Sequence, residues 1–163
     1  MATTRAELIT ALEQTASELA RFTAGPGNDA LDFRAGPDEW TVREILAHLV
    51  DDEMYVMRLR LERIIKEDNP HLTPHDEQAW YATRNTTRDQ LEDLLADFAL
   101  QRAASLGIMK MLREEDWARQ GYQPEYGAFT AEGWLSIWVE HDAVHLRQIE
   151  RALQTYKART NAS

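Results

Sequence analysis

Two histidines spaced four residues apart, His141 and His145, lie in the stretch W-V-E-H-D-A-V-H-L-R-Q-I-E over residues 138–150. At about 100° per residue on a helix, their imidazoles fall within roughly 40° of each other, on one face. Five apolar residues of the predicted last helix share that face: Trp134, Ile137, Trp138, Val144 and Ile149. Two imidazoles on successive turns can bind one metal ion. The spacing therefore predicts either half of a metal site or two buried neutral histidines, each hydrogen-bonded to a neighbour.

The remaining histidines show that a four-residue spacing predicts a shared face only where the segment is helical. His71 and His75 are also four residues apart, but prolines beside both exclude a regular helix, so we expect solvated loop residues outside the site. His48 is the one histidine on another predicted helix. Catalytic divalent ions commonly have three protein ligands and an open position, and bundles build such sites from facing helices. If the helices are level, His48, His141 and His145 are the candidate metal ligands.

Residues beside these histidines allow two interpretations each. Asp52, one turn after His48, either orients that imidazole or is a solvated carboxylate. Asp142 is a polar flank or a base, and H-D-A-V-H lacks the H-E-x-x-H pattern of a metalloprotease. Three aromatic residues either line an apolar pocket above the ion or belong to the core: Tyr55, Trp134 and Trp138.

Length and composition limit the classes of protein. The 163 residues are 44% hydrophobic and 28% charged, which predicts one globular domain over residues 1–163. A net charge of -10 argues against nucleic acid and anionic membranes as partners. Without cysteine, thiol chemistry would need a thiol from a cosubstrate. No apolar run approaches the ~20 residues of a membrane span and no signal peptide is visible, so a cytoplasmic protein is expected.

Apolar periodicity and capping residues predict four long helices and no convincing strand. The first covers about Thr4–Arg21, with T-R-A-E as a capping box; the second runs from the T-V-R-E box at Thr41 to roughly Glu67. Two prolines interrupt the connection 69–85, and the turn-rich segment G-Y-Q-P-E-Y-G-A-F-T precedes the last helix. The third helix runs from a T-R-D-Q box at Thr87 to about Glu115, and the fourth from Thr130 through Leu153. An all-α four-helix bundle follows.

The stretches W-T-V-R-E-I-L-A-H-L-V-D-D-E (40–53) and E-H-D-A-V-H-L-R-Q-I (140–149) resemble the DinB/YfiT-like superfamily of metalloenzymes. The positions that match its pattern are Trp40, His48, His141, His145, Gln148 and Ile149. The resemblance implies a four-helix bundle in which these three histidines hold a divalent ion, often nickel or zinc, and frequently a homodimer. Outward apolar residues at Val50, Met54 and Met57 would suit a dimer surface.

The resemblance leaves three functions open. Some relatives are similar to bacillithiol or mycothiol S-transferases, so we first expect a metal-dependent transfer of a small thiol to small electrophiles. The second hypothesis is a metal-dependent hydrolase that generates hydroxide from bound water. The third is a non-catalytic protein that binds a metal or a small molecule in a stress response. Maleylpyruvate isomerisation is less favoured, because isomerase-type relatives have Glu at the position of His141.

Overall fold

Helices dominate the computed structural model, which describes residues 3–162. Its elements, in chain order, are α1 (Arg5–Thr23), α2 (Asn28–Leu31), α3 (Val42–Asp52), a π-helical segment (Glu53–Met57), α4 (Arg58–Lys66), α5 (Glu77–Ala82), a 3₁₀ turn (Thr86–Arg88), α6 (Leu91–Met111), α7 (Glu114–Trp117), β1 (Gln120–Gln123), β2 (Gly127–Thr130) and α8 (Ala131–Asn161). Because α3, the π segment and α4 follow one another without a break, the long helices number four among the described residues. The predicted all-α four-helix bundle is confirmed.

Threonine caps start three of the four long helices, as predicted. Thr4 and Thr41 form complete capping boxes, in which each cap's backbone N–H donates to Glu7 or Glu44 at 2.7 Å. Thr130 caps α8 by accepting from the N–H of Gly133. The predicted box at Thr87 is wrong, since a 3₁₀ turn occupies residues 86–88 and α6 begins at Leu91 without a side-chain cap.

The connection before α8 contains strands that the sequence analysis did not predict. β1 and β2 pair antiparallel, and the Gln123 side chain accepts the backbone N–H groups of Glu125 and Tyr126 to fix the turn. Gly127 closes the turn at a φ of 73°, a conformation that favours glycine. Residues 70–72 add two backbone hydrogen bonds to Tyr122, so the loop after α4 docks on this hairpin.

The aromatic residues of α8 lie in the core rather than around a pocket. Trp134 and Trp138 are fully buried, and their indole N–H groups donate to the Met57 carbonyl and to the Glu53 carboxylate, respectively. Tyr55, in contrast, is half exposed and packs against Trp80.

The distribution of apolar residues bears on two expectations, a dimer surface and the absence of a membrane span. Val50 and Met57 are buried within the chain itself, and Met54 is half-buried. The prediction that these three residues form an outward apolar face for a dimer is therefore wrong. No helix within residues 3–162 is both long and apolar enough to cross a membrane.

Candidate metal centre

Three imidazoles from two facing helices meet inside the bundle. Nε2 of His48, on α3, lies 3.0 Å from Nε2 of His145 and 3.3 Å from Nε2 of His141, both on α8. His48 and His145 are buried and His141 is half-buried. The structure thus brings together all three candidate ligands taken from the sequence, because α3 and α8 pack with these residues level.

The opposite nitrogen of each ring faces an oxygen atom. Nδ1 of His145 donates to Oε1 of Gln148 at 2.8 Å. Nδ1 of His48 lies 3.5 Å from Oδ1 of Asp52, and Nδ1 of His141 lies 3.6 Å from Oδ1 of Asp142. Only the contact between His145 and Gln148 is a hydrogen bond, and an oxygen in that position is the usual means by which proteins orient a ligand histidine.

The protonation of the three rings differs strongly. Burial lowers the pKa of His48 to about 3 and that of His145 to about 4, so both are neutral at pH 7. Burial also disfavours charge on His141, but the carboxylates of Asp142 and Asp52 outweigh it and raise the pKa of His141 to about 9. His141 is therefore an imidazolium at pH 7 in the metal-free protein, and its Nε2–H faces the neutral Nε2 of His48.

These nitrogens fit a divalent transition-metal ion. Two imidazole nitrogens bound to one tetrahedral ion at ~2.0–2.1 Å are about 3.3 Å apart, close to the 3.0 and 3.3 Å observed here. Without an ion, an Nε2–H of one ring can donate to the facing Nε2 of another at the same distance, so the spacing suits both a metal ion and a hydrogen bond between the rings. Imidazole suits zinc, nickel, copper and iron alike, so the set of donors selects a divalent ion without naming it.

Asp52 stands behind the histidines and is buried rather than solvated. Its Oδ2 lies 3.4 Å from Nε2 of His141, and its Oδ1 lies 3.4 Å from Nε2 of His75. Oδ1 of Asp52 and Nε2 of His75 are both buried without a hydrogen bond among the described residues. The expectation of a solvated loop is therefore wrong for His75, which is half-buried, whereas His71 is exposed as expected.

A second carboxylate, Glu77, reaches the histidines from the short helix α5. Its Oε2 lies 3.8 Å from Nε2 of His48, and its side chain is 47% exposed. Burial of the carboxylate and the nearby charge of Asp52 raise the pKa of Glu77. Sequence reasoning missed Glu77, since it lies in the proline-interrupted connection and no spacing ties it to α3.

Behind His141, a buried ion-pair network crosses the bundle. Arg102, on α6, is 2% exposed and binds the Glu53 carboxylate through two nitrogens at 3.0 and 2.8 Å. Its Nη1 donates to Oδ2 of Asp142 at 2.7 Å, and the Thr15 hydroxyl donates to the same oxygen at 2.7 Å. Asp142 is thus neither a solvated flank nor an exposed base. An arginine one turn after Phe98, on the buried stripe of α6, was the sequence signal for this network.

The family follows from comparison with known proteins. A sequence model of the DinB superfamily matches residues 11–149. The chain belongs to the DinB superfamily. This DinB protein is 25% identical over 142 residues to "Putative metal-dependent hydrolase YfiT" of Bacillus subtilis, covering 86% of this chain and 79% of that protein. It is 27% identical over 143 residues to "Putative metal-dependent hydrolase OB0782" of Oceanobacillus iheyensis, covering 88% and 82%.

The fold of this DinB protein matches a solved structure. YfiT from Bacillus subtilis, which has an unusual four-helix bundle topology, superposes with a TM-score of 0.84 at 23% identity. The match covers 94% of this chain and 87% of that one. At that identity the likeness establishes the bundle, and the chemistry depends on the residues of the site.

An open cleft of about 280 Å³ leads to the candidate centre of this DinB protein. His145, Glu77 and Trp40 line it, and the ring of Trp40 also contacts that of His48. The remaining lining residues are Asp38, Glu39, Ile45, Gln78, Gln148, Arg151 and Ala152. A small molecule that enters the cleft can therefore contact the candidate ligand His145 and the carboxylate of Glu77 together.

Proposed function

We propose that this protein is a metal-dependent hydrolase of small esters or amides. One observation carries the proposal: three imidazole Nε2 atoms converge beside the half-exposed carboxylate of Glu77, and His145 and Glu77 both line an open cleft. A metal centre and a carboxylate that reach the same small space are what hydrolysis of an acyl group requires. The names of the two bacterial relatives support the same reaction class.

His48, His141 and His145 would hold the ion. When bound, the ion supplies Lewis acidity that polarises a carbonyl oxygen and lowers the pKa of a coordinated water. Gln148 accepts the Nδ1–H of His145 and so keeps that ring turned inward. Asp52 faces the Nδ1 side of His48 at 3.5 Å.

Glu77 would move the proton. Its carboxylate lies on the cleft side of His48, where it can accept a proton from the attacking water and then deliver it to the departing alkoxide or amine. The indole of Trp40 covers one edge of His48 and limits the access of bulk water to that side.

Thiol transfer, the first expectation from the sequence, would use the same histidines but has no support from the relatives. A thiol must also lose its proton before it can attack, so Glu77 could accept a proton in either reaction. The names of the two relatives are therefore what favours hydrolysis over transfer.

The test measures turnover of a chromogenic ester and an anilide without added thiol. We expect activity that a chelator abolishes and that zinc or nickel restores. Glu77→Gln should lower kcat by about 10²-fold or more while the bound metal per chain stays unchanged. Glu92→Gln, an exposed change in the first turn of α6 away from the cleft lining, is the matched control.

Two results would contradict hydrolysis. Conjugation of an electrophile that depends on an added low-molecular-weight thiol, with no ester or anilide turnover, would assign thiol transfer. Full metal occupancy without turnover, whether or not a thiol is added, together with a loss of thermal stability in His145→Ala, would assign a non-catalytic metal-binding role.

A further inference from the structure

The charged side chains of the cleft point to the kind of molecule that enters it. Ionisable residues reach it from three elements: Asp38 and Glu39 from the loop before α3, Glu77 from α5, and Arg151 from α8. A cleft of about 280 Å³ lies at the small end of ligand sites, which suits a compact molecule rather than a chain.

Arg151 differs from the other arginines. Of the arginines with described side chains, Arg151 alone has no side-chain hydrogen bond, ion pair or ring contact. The Thr155 hydroxyl donates to its backbone carbonyl, not to its guanidinium. Even the exposed Arg147, one turn earlier, pairs with Glu140. An unpaired guanidinium at the cleft is therefore available to a carboxylate or phosphate, which it can bind through two parallel N–H groups.

Asp38 and Glu39 present the opposite charge. Both are exposed, and neither carboxylate has an ion pair or hydrogen bond with any side chain that the structure describes. An anion alone would be repelled by these two groups and by Glu77, whereas a cation alone would leave Arg151 unpaired. A ligand with one group of each sign satisfies both.

We propose that the cleft binds small zwitterions, with the anionic group at Arg151, the ammonium at Asp38 and Glu39, and the scissile carbonyl at the histidines. Turnover of such a substrate rests on the proposed hydrolysis, whereas its binding rests on the charged residues of the cleft alone. Arg151 lies six residues after His145, about 9 Å along the helix axis, and both side chains line the cleft. Gln148, between them, is fixed by its bond to His145.

Four p-nitroanilides that differ only in charge test the proposal. Butyryl is neutral, glutaryl carries a carboxylate, 4-aminobutyryl carries an ammonium, and γ-L-glutamyl carries both on the same four-carbon frame. Calorimetric titration of the zinc-loaded protein gives the dissociation constant of each, and release of p-nitroaniline gives turnover separately. We expect the γ-glutamyl compound to bind at least tenfold more tightly than the butyryl compound.

Matched variants assign each charge to its partner. Arg151→Gln should weaken binding of the glutaryl and γ-glutamyl compounds about tenfold and leave the butyryl compound unchanged. The double variant Asp38→Asn, Glu39→Gln should weaken only the two compounds with an ammonium. Arg147→Gln, exposed on α8 outside the cleft, should behave as the unaltered protein.

The two proposals fail in different ways. Equal binding of all four compounds, or unchanged binding of the glutaryl compound by Arg151→Gln, overturns zwitterion recognition whatever the turnover. Charge-dependent binding without release of p-nitroaniline supports the recognition and contradicts hydrolysis.

Discussion

Arg102 and Asp142 form a buried ion pair, with Nη1 and Oδ2 2.7 Å apart, and Asp142 directly follows the candidate ligand His141 in sequence. Both side chains are almost inaccessible, and the guanidinium is shared with Glu53, which is equally buried. One cation thus compensates two buried anions and joins α6 to α8 and to the π-helical segment. The back of the candidate metal centre is held by charge rather than by apolar packing alone.

Arg102→Met should destabilise the protein by about 3–5 kcal/mol, because two carboxylates would remain buried without a counter-charge. Urea unfolding followed by circular dichroism measures the change in the free energy of unfolding. Arg147→Met removes an exposed ion pair with Glu140 and should cost less than about 1 kcal/mol. Equal costs for the two variants would show that the network adds no more than a surface pair.

The bundle and the meeting of the three candidate ligands could be predicted from the sequence for one physical reason. Helical phase is a local property, so capping threonines and the 3.6-residue period place Thr41, His141 and His145 without knowledge of the packing. The prediction of His48 also required that this residue on α3 lie at the same height in the bundle as the histidines of α8. The packing of the two helices meets that requirement.

Residues from outside the regular helices could not be predicted in the same way. Glu77 reaches the site only because the connection after α4 folds back over α3, and His75 becomes half-buried by the same path. The hairpin was missed because its strands are four residues each, too short for an alternating pattern to stand out from a turn-rich segment. The missed features are therefore tertiary, whereas the correct ones follow from local pattern.

Metal binding should depend on His145 and not on His71. His145→Ala removes one of three converging nitrogens, and we expect metal per chain, measured by elemental analysis after dialysis, to fall at least tenfold. His71→Ala removes an exposed imidazole on the docked loop and should leave the metal content unchanged. Retained metal in His145→Ala would move the centre away from these three residues.

Gln148 should tune the affinity without being a ligand. Gln148→Leu removes the acceptor that holds Nδ1–H of His145, and loss of such a partner typically weakens metal binding about 10- to 100-fold. Competition with a chromogenic chelator gives the dissociation constant. Gln154→Leu, an exposed change farther along the same helix, serves as the control. Equal affinity in both variants would mean that the 2.8 Å bond does not orient the ring.

The number of protons released on metal binding should report the unequal pKa values of the three histidines. His48 and His145, with pKa values lowered to about 3 and about 4, are already neutral at pH 6.0, whereas His141, with its pKa raised to about 9, must lose its proton to bind an ion. We therefore expect about one proton per ion at pH 6.0, where three histidines of ordinary pKa would release about two. Calorimetric titrations in buffers of different ionisation enthalpy give the count.

The same pKa values set how metal affinity varies with pH. Since His141 stays protonated in the metal-free protein up to about pH 9, apparent affinity should rise about tenfold per pH unit from pH 5 and level off above pH 9. Asp52→Asn removes a carboxylate 3.4 Å from Nε2 of His141, so the plateau should begin at lower pH. A plateau that begins near pH 6.5 in the unaltered protein would show that the carboxylates do not hold the proton on His141.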